Sequence, residues 1–172
     1  MGKDKLLTFD EMKEKAINFY KELGVEVPDD KINRAVYSLI MPQYAHDYNK
    51  KNNPKIFDHS ALATVGDAVC AAYLMLKEYS DGLSKEDLTK KKSKLKNEEL
   101  NKIGEKMCCG KLFASNNDLE SNNDNGNKKA YATAFEAVIG FIALLEKQKN
   151  LNSKSRLWKI LDEYFSNNVD NN

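Results

Sequence analysis

Apolar residues recur at spacings of three and four along the first forty residues, which predicts two amphipathic helices. A capping box at Thr8–Glu11 opens the first helix, and Gly24 ends it. Pro28 opens the second helix, which ends before Pro42. The polar, lysine-bearing stretch 47–54 is predicted to be a loop.

Two later helices are apolar on most of their surface, so we expect them to form the buried centre of the fold. The first begins near Asp58 or Ser60, either of which can cap it, and runs to about Tyr79. The second spans roughly residues 129–147. Because each is apolar nearly all round, the two are predicted to pack against each other.

Of the remaining segments, two have helical periodicity and one has no periodicity. A capping box opens a charged helical region over 84–110, and 157–165 with Trp158 forms a final amphipathic helix. The asparagine-rich stretch 115–127 cannot bury enough apolar surface to fold alone and is predicted to be a mobile loop. No segment alternates with period two, so the prediction is an all-α fold of five to seven helices.

Composition narrows the functional classes. The 172 residues are 41% hydrophobic, which suits one domain, and a net charge of +1 means that any nucleic acid must be met by a local basic patch. The three cysteines are odd in number and contain no C-x-x-C, which favours reduced thiols over a zinc site. Without a signal peptide or a run of eighteen apolar residues, the protein is expected to be cytoplasmic and not associated with a membrane.

Each of the two apolar helices carries one unexplained acid, Asp67 in the first and Glu136 in the second. Ser60, Ala63 and Asp67 share one stripe of their helix, and Thr133 lies one turn before Glu136. If the helices pack together, the two carboxylates can meet, and a proton or a divalent cation must then relieve their repulsion. Alternatively, each acid has its own lysine partner or a route to water. Spacing alone leaves both readings open.

Longer motifs resemble a known family. Ser60-Ala-Leu-Ala-Thr-Val-Gly-Asp-Ala-Val69 resembles the signature helix of the ribonuclease III endonucleases, which typically reads E-R-L-E-F-L-G-D-A-V, and Thr133-Ala-Phe-Glu-Ala-Val-Ile-Gly140 resembles D-x-F-E-A-L-I-G. Residues 37–47 and 88–100 resemble two further family elements. The resemblance implies a single domain over 1–172, with an N-terminal helix in 1–29, the family core at 30–147, and a C-terminal helix and tail at 148–172.

The aligned positions differ from the common family pattern at the metal site. Most members carry four carboxylates there, and this chain keeps Asp67 and Glu136 while Ala63 and Thr133 take the other two positions; Ser60 replaces a further glutamate. The Mini-III subgroup, short enzymes of ribosomal RNA maturation, is similar in having alanine and threonine at these places. That subgroup also lacks a double-stranded-RNA-binding domain, and the resemblance implies the same for this protein. The resemblance to Mini-III therefore implies that the two losses are compatible with activity.

The resemblance implies a metal-dependent endoribonuclease that cleaves double-stranded RNA, plausibly a ribosomal precursor. Asp67 and Glu136 would be its catalytic and metal-binding residues, with Mg²⁺ as the cofactor and Mn²⁺ as an alternative. The helix bearing Asp67 would form a homodimer. Two other functions stay open: a nuclease-silent RNA-binding or ribosome-associated module, and a helical interaction protein without an RNA role.

Two groups of lysines are candidates for phosphate contact. The run within 90–96 fits either a solvated helix face or an RNA-binding surface. Lys128 and Lys129 directly precede the helix of Glu136 and are the first candidates, because they lie closer to the two acids. A catalytic triad uses the same residue types as Asp58, His59 and Ser60. However, adjacent residues point in different directions, so helix capping explains these three residues better.

Overall fold

The structure, a computed structural model, describes residues 6–79, 83–87, 89, 97–114, 127–147 and 155–169. Within these ranges the chain has seven α-helices with described bounds, further helical residues at 85–87 and 89, and one 3₁₀ turn, Asp29–Lys31, with no β-strand. The helices are α1 (Phe9–Glu22), α2 (Ile32–Tyr37), α3 (Pro42–Lys51), α4 (Ser60–Glu78), α5 (Asn97–Cys108), α6 (Asn127–Glu146) and α7 (Arg156–Val169). The predicted all-α class is confirmed.

Side-chain caps set several helix starts where the sequence places them. The Thr8 hydroxyl accepts a hydrogen bond from the Glu11 N–H at 3.3 Å, and the Glu11 carboxylate accepts one from the Thr8 N–H at 2.6 Å. Ser84 and Asp87 exchange the same pair of hydrogen bonds at 3.1 and 3.3 Å. Each pair satisfies backbone donors that have no partner within the helix. Both predicted capping boxes are therefore confirmed.

The predicted loop over 47–54 is wrong for its first five residues, because α3 continues to Lys51. Pro42 occupies the first turn, where its missing N–H costs nothing. Tyr44 and Tyr48, four residues apart, are both buried against the core. The polar residues that suggested a loop lie mainly on the opposite, solvent-facing side of this amphipathic helix.

Some predictions fall on residues that the structure does not describe. These are the middle of the charged helical region predicted over 84–110, the lysine run within 90–96, the asparagine-rich residues 115–126, and the side chain of Lys128. They stay predictions.

Helix α6 is the centre of the fold, and α4 and α5 pack on it at glycines. An ideal Cβ at Gly66 of α4 would lie 1.7 Å from the carbonyl oxygen of Glu136, and one at Gly140 of α6 would lie 2.1 Å from the carbonyl oxygen of Leu62. On the other side, a Cβ at Gly104 of α5 would lie 2.0 Å from the carbonyl oxygen of Tyr131. These separations are far below contact distance, so each helix pair meets backbone to backbone because a side chain is missing.

Helix α4 is buried on one side only, although its sequence is apolar on most of its surface. Leu62, Ala63, Cys70 and Tyr73 face the core, whereas the opposite side is exposed. We call this exposed side the outer face of α4; it consists of Ala61, Thr64, Ala68, Ala72, Met75, Leu76 and Tyr79. Within the described ranges, Ser60–Lys77 is also the one segment long and apolar enough to cross a membrane, a test that core helices pass as well.

Contacts at both ends fix the position of α4. At its start, the His59 N–H donates to the Ile40 carbonyl at 3.0 Å. At its end, the Tyr73 hydroxyl donates to the Asp162 carboxylate of α7, and the Lys77 ammonium donates to the Ser166 hydroxyl at 2.9 Å. Helix α4 is therefore held at its first and last turns as well as at the glycine contacts.

We expect Gly140→Ala to lower the free energy of unfolding by about 3 kcal/mol, because the added methyl group must push α4 away from α6. Urea denaturation measures the change. Gly110→Ala is the matched control: Gly110 has φ +70° and no atom within 4 Å of the added group, so only backbone strain of about 1 kcal/mol applies. Equal losses in the two variants would contradict a close helix contact at Gly140.

Candidate active site and metal centre

The α4–α6 contact brings the two predicted acids together. Gly66 lies against the backbone of Glu136, and Asp67 is the next residue along α4. The Asp67 and Glu136 side chains are close enough that the charge of Asp67 acts on the Glu136 carboxyl. The hypothesis that the acids of the two helices meet is thus supported by the geometry. However, they are not both buried: Asp67 is exposed and Glu136 is half-buried.

The protonation of Glu136 is strongly perturbed. Partial burial, and then repulsion from the Asp67 carboxylate, raise the pKa of Glu136 to about 7 from an ordinary value of 4.5. Near neutral pH, the Glu136 side chain is therefore shared between its protonated and its ionised form. A proton is one way to relieve the repulsion, and a cation is the other.

The side chains of Cys70, Ala63 and Thr133, which lie beside the two acids on α4 and α6, are uncharged. Cys70, one turn after Asp67, is buried, and its burial together with the charges of Glu136 and Asp67 raises the pKa of its thiol. The thiol is consequently protonated and unreactive, and Cys70 acts as a small packing residue. Ala63 is buried and Thr133 is half-buried, so neither of these positions contributes a charge.

The donor set fits a hydrated magnesium ion. Among the residues that the structure describes, no group of three or more His, Cys, Asp or Glu side chains is placed to hold a metal ion. Asp67 and Glu136 supply carboxylate oxygens, which Mg²⁺ prefers, and Mg²⁺ commonly takes one or two carboxylates from a protein while keeping several waters. The repulsion that raises the pKa of Glu136 is also what a cation between the two acids would relieve.

Lys129 lies on the same face of α6 as Glu136. The two residues are seven positions apart, which is close to two helical turns, or about 10 Å along the axis. The Lys129 side chain is exposed, whereas that of Lys128 is outside the described residues. A phosphate held at Lys129 would therefore be on the side of α6 that carries the acid.

Asn101 of α5 is a residue that the sequence reading missed. Its side-chain oxygen accepts hydrogen bonds from the backbone N–H groups of Tyr131 at 3.1 Å and Ala132 at 3.2 Å. Asn101 thereby fixes α6 about one turn before Glu136. No local pattern could reveal this contact, because the partners are 30 and 31 residues away along the chain.

Asp58, His59 and Ser60 do not form a triad. The Asp58 carboxylate accepts a hydrogen bond from the Ser60 backbone N–H at 2.8 Å. The N-cap position is His59, without a capping hydrogen bond from its side chain, so the prediction that Asp58 or Ser60 is the cap is wrong. The Ser60 side chain is exposed while His59 is 2% exposed, so the two do not face a common point.

Comparison with known protein families gives a match that covers both acids. A family model described as the ribonuclease III domain matches residues 60–147, which are 88 of the 172 residues. The match begins at the first residue of α4 and ends just after α6, so it includes Asp67 and Glu136. No curated protein matches the chain.

The raised pKa of Glu136 predicts a pH-dependent stability in metal-free buffer. The folded protein binds this proton more tightly than the unfolded chain does, so the contribution to stability is full below pH 4.5 and is lost as the pH rises to about 7. Replacing the Glu136 carboxyl group by an amide removes this pH-dependent loss of stability. We expect the melting temperature of Glu136→Gln, relative to the parent, to be higher at pH 8 than at pH 5 with a chelator present.

Differential scanning fluorimetry at the two pH values measures this difference. Glu163→Gln, which alters an exposed glutamate on α7, is the matched control and should keep a constant offset from the parent. If Glu136→Gln also keeps a constant offset, Asp67 and burial do not hold the proton on Glu136.

Proposed function

The chain belongs to the ribonuclease III family, and from this membership we propose that it is a metal-dependent endonuclease that cleaves double-stranded RNA. The family consists of endoribonucleases, which sets the reaction class. The observation that carries the proposal for this chain is the electrostatic coupling of Asp67 and Glu136 across the α4–α6 contact. Coupled carboxylates with a perturbed pKa are typical of functional sites.

Asp67 and Glu136 would have different parts in the reaction. When bound between them, Mg²⁺, or Mn²⁺ as an alternative, would activate water and neutralise charge developing on the phosphate. Asp67 is exposed, so it can meet both an ion and an approaching RNA phosphate. Glu136 must lose its proton before it can act as a ligand, which makes its ionisation part of assembling the site.

RNA would be held mainly through its backbone. A-form duplexes are recognised by shape, phosphates and 2′-hydroxyls rather than by base edges. Lys128 and Lys129, at the start of α6, are the proposed phosphate contacts. Because the net charge is only +1, these local contacts carry binding, which should be weak and strongly salt-dependent.

The protein would act as a homodimer in the cytoplasm, with a ribosomal RNA precursor as a plausible substrate. The exposed apolar residues of the outer face of α4 support the dimer, since monomeric proteins rarely leave such a contiguous patch uncovered. We expect light scattering at tens of micromolar to give twice the chain mass of 19.5 kDa. A mass of one chain would contradict the dimer.

A nuclease-silent RNA-binding module, which includes a ribosome-associated one, is the second candidate. The observation that favours it is the uncharged character of Ala63 and Thr133, which leaves two acids for a site that usually has four. Such a module would bind duplex RNA through the same lysines without cutting it. Cleavage of a duplex with Mg²⁺ or Mn²⁺ separates the two functions.

We expect Glu136→Gln to reduce cleavage of duplex RNA to background while leaving duplex binding unchanged. The substitution is nearly isosteric and removes one of the two negative charges that would hold the ion. Gel-based cleavage over millimolar Mg²⁺ measures activity, and fluorescence anisotropy in a chelator measures binding.

Glu163→Gln should cleave at the parent rate, because Glu163 is exposed on α7 rather than paired with Asp67. If Glu136→Gln cleaves as fast as the parent at matched metal, Glu136 is structural. If the parent cuts no duplex with either metal, the RNA-binding module becomes the better assignment.

We expect joint substitution of Lys128 and Lys129 by alanine to flatten the salt dependence of duplex binding. Each lost phosphate contact lowers the slope of log affinity against log salt by about one unit. The charge-matched control replaces Lys15 and Lys21 of α1, both exposed, by alanine. An unchanged slope for the first variant, or an equal change for the control, would exclude Lys128 and Lys129 as specific contacts.

A further inference from the structure

A cavity of about 490 Å³ lies beside the start of α4. Apolar side chains of α3 and of residues 56–61 form much of its wall, and His46, Asp58 and Ser60 add polar groups. Sites for small molecules have about 300–1,000 Å³ and combine apolar walls with a few polar groups. The cavity therefore has the size and the composition of a site for one small ring system.

Phe57 lines this cavity and is nevertheless 68% exposed. The Asn49 side chain exchanges two hydrogen bonds of 2.8 Å with the backbone N–H and carbonyl groups of Ile56, the preceding residue, which is buried. The Tyr37 ring meets the Phe57 ring edge to face with centroids 5.4 Å apart, an arrangement that aromatic pairs prefer. The backbone and Tyr37 thus hold an aromatic ring in place at the cavity while most of its surface stays open to solvent.

Positive charge lies next to this ring. Residues 47–58 carry three lysines against two aspartates. The Lys55 ammonium donates hydrogen bonds to the carbonyl oxygens of Asn49 and Asn52 at the end of α3, where the helix dipole favours a cation. Because Asn49 also lines the cavity, the Lys55 charge is held beside it. A basic group next to an exposed aromatic ring is the combination with which proteins bind single-stranded nucleic acid.

We propose that this cavity binds an unpaired base of an RNA strand, which stacks on Phe57 while Lys55 lies near its phosphate. Stacking on an aromatic side chain suits any base, since every base has a flat face. Bases within a duplex are already paired and stacked on one another, so the ligand is a single-stranded nucleotide. The proposal rests on the proposed function and adds to it a preference for a duplex that adjoins a single-stranded segment.

The cavity is near enough to the two acids for one RNA to reach both places. Ser60 lines the cavity and lies on the stripe of α4 that also carries Asp67. These two residues are seven positions apart, which is about 10 Å along the helix axis. Successive nucleotides of a stacked strand are about 3.4 Å apart, so the distance corresponds to about three nucleotides. The unpaired base would therefore lie about three nucleotides from a phosphate at Asp67.

Binding of three related duplexes tests the base site. One duplex is blunt, the second has a single-stranded extension of about four nucleotides, and the third has the same extension without its bases. We expect the parent to bind the extended duplex about tenfold more tightly than the baseless one, because a base stacked on an aromatic ring adds about this much affinity while the phosphates are the same. Fluorescence anisotropy in a chelator measures the affinities without metal-dependent cleavage.

Phe57→Ala should lose this tenfold gain and bind the blunt duplex like the parent, whereas Phe57→Tyr should keep the gain. The fluorescent base analogue aminopurine, placed in the extension, reports stacking directly. Its emission should be quenched by the parent and by Phe57→Tyr, and should be unchanged by Phe57→Ala.

Ile17→Ala, which removes an exposed apolar side chain of α1, is the matched control and should keep the full gain. Circular dichroism checks the fold of each variant, and light scattering checks its mass. If the baseless extension binds as tightly as the complete one, or if Phe57→Ala keeps the gain, the cavity does not bind a base. If Phe57→Ala changes the mass in solution, Phe57 belongs to an interface between copies and the proposal is overturned.

The outcomes separate the base site from the proposed function. A parent that binds and cleaves the blunt duplex but gains nothing from the extension overturns the base site alone. A parent that neither binds nor cuts a duplex, yet quenches aminopurine in a single strand through Phe57, overturns the proposed function and supports the base site. A parent that binds no RNA overturns both.

Discussion

The contact between α4 and α6 places two backbones against each other where side chains would normally keep them apart. Gly66 and Gly140 allow it from opposite helices, so the approach is close over more than one turn. Because packed interiors do not deform continuously, this contact fixes the rotation of each helix about its own axis as well as their separation. The positions of Asp67 and Glu136 follow directly, since each is tied to a helix whose rotation is already set.

The close contact also explains why the two acids differ in environment. Glu136 lies on the central helix, where its neighbours exclude much of the solvent, and Asp67 lies at the edge of α4 beside the outer face. The same pair of backbones therefore holds one carboxylate that is costly to ionise and one that solvent reaches. The charge of this pair therefore changes with pH near neutrality through Glu136, while Asp67 stays open to solvent.

The sequence predicted the helices well wherever local chemistry determines their ends. The capping boxes at Thr8–Glu11 and Ser84–Asp87 satisfy backbone donors within one turn. They can therefore be predicted from four consecutive residues. The C-terminal half of α3 could not be read in this way, because its burial depends on Tyr44 and Tyr48 meeting parts of the core that are distant in sequence. Apolar residues do recur there at helical spacing, but the polar residues on the solvent-facing side made the segment resemble a loop.

The sequence pointed to Asp67 and Glu136 as acids in otherwise apolar helices, and the contact of α4 with α6 brings the two positions near each other. Their role as a site stays a prediction, and their surroundings differ from those expected. That Asp67 is exposed was hidden, because the apolar residues beside it, such as Ala68 and Ala72, read as core in a sequence although they face outward in a single chain. An apolar residue on the surface and one in the interior cannot be told apart by residue type alone.

The two hydrogen bonds that Asn101 accepts from α6 have a mechanical consequence. They clamp the helix at Tyr131 and Ala132, between the turn that carries Lys129 and the turn that carries Glu136. A shift of α6 against α5 at this turn would break both hydrogen bonds at once. One amide side chain thus ties the start of the central helix to its neighbour at a point between Lys129 and Glu136.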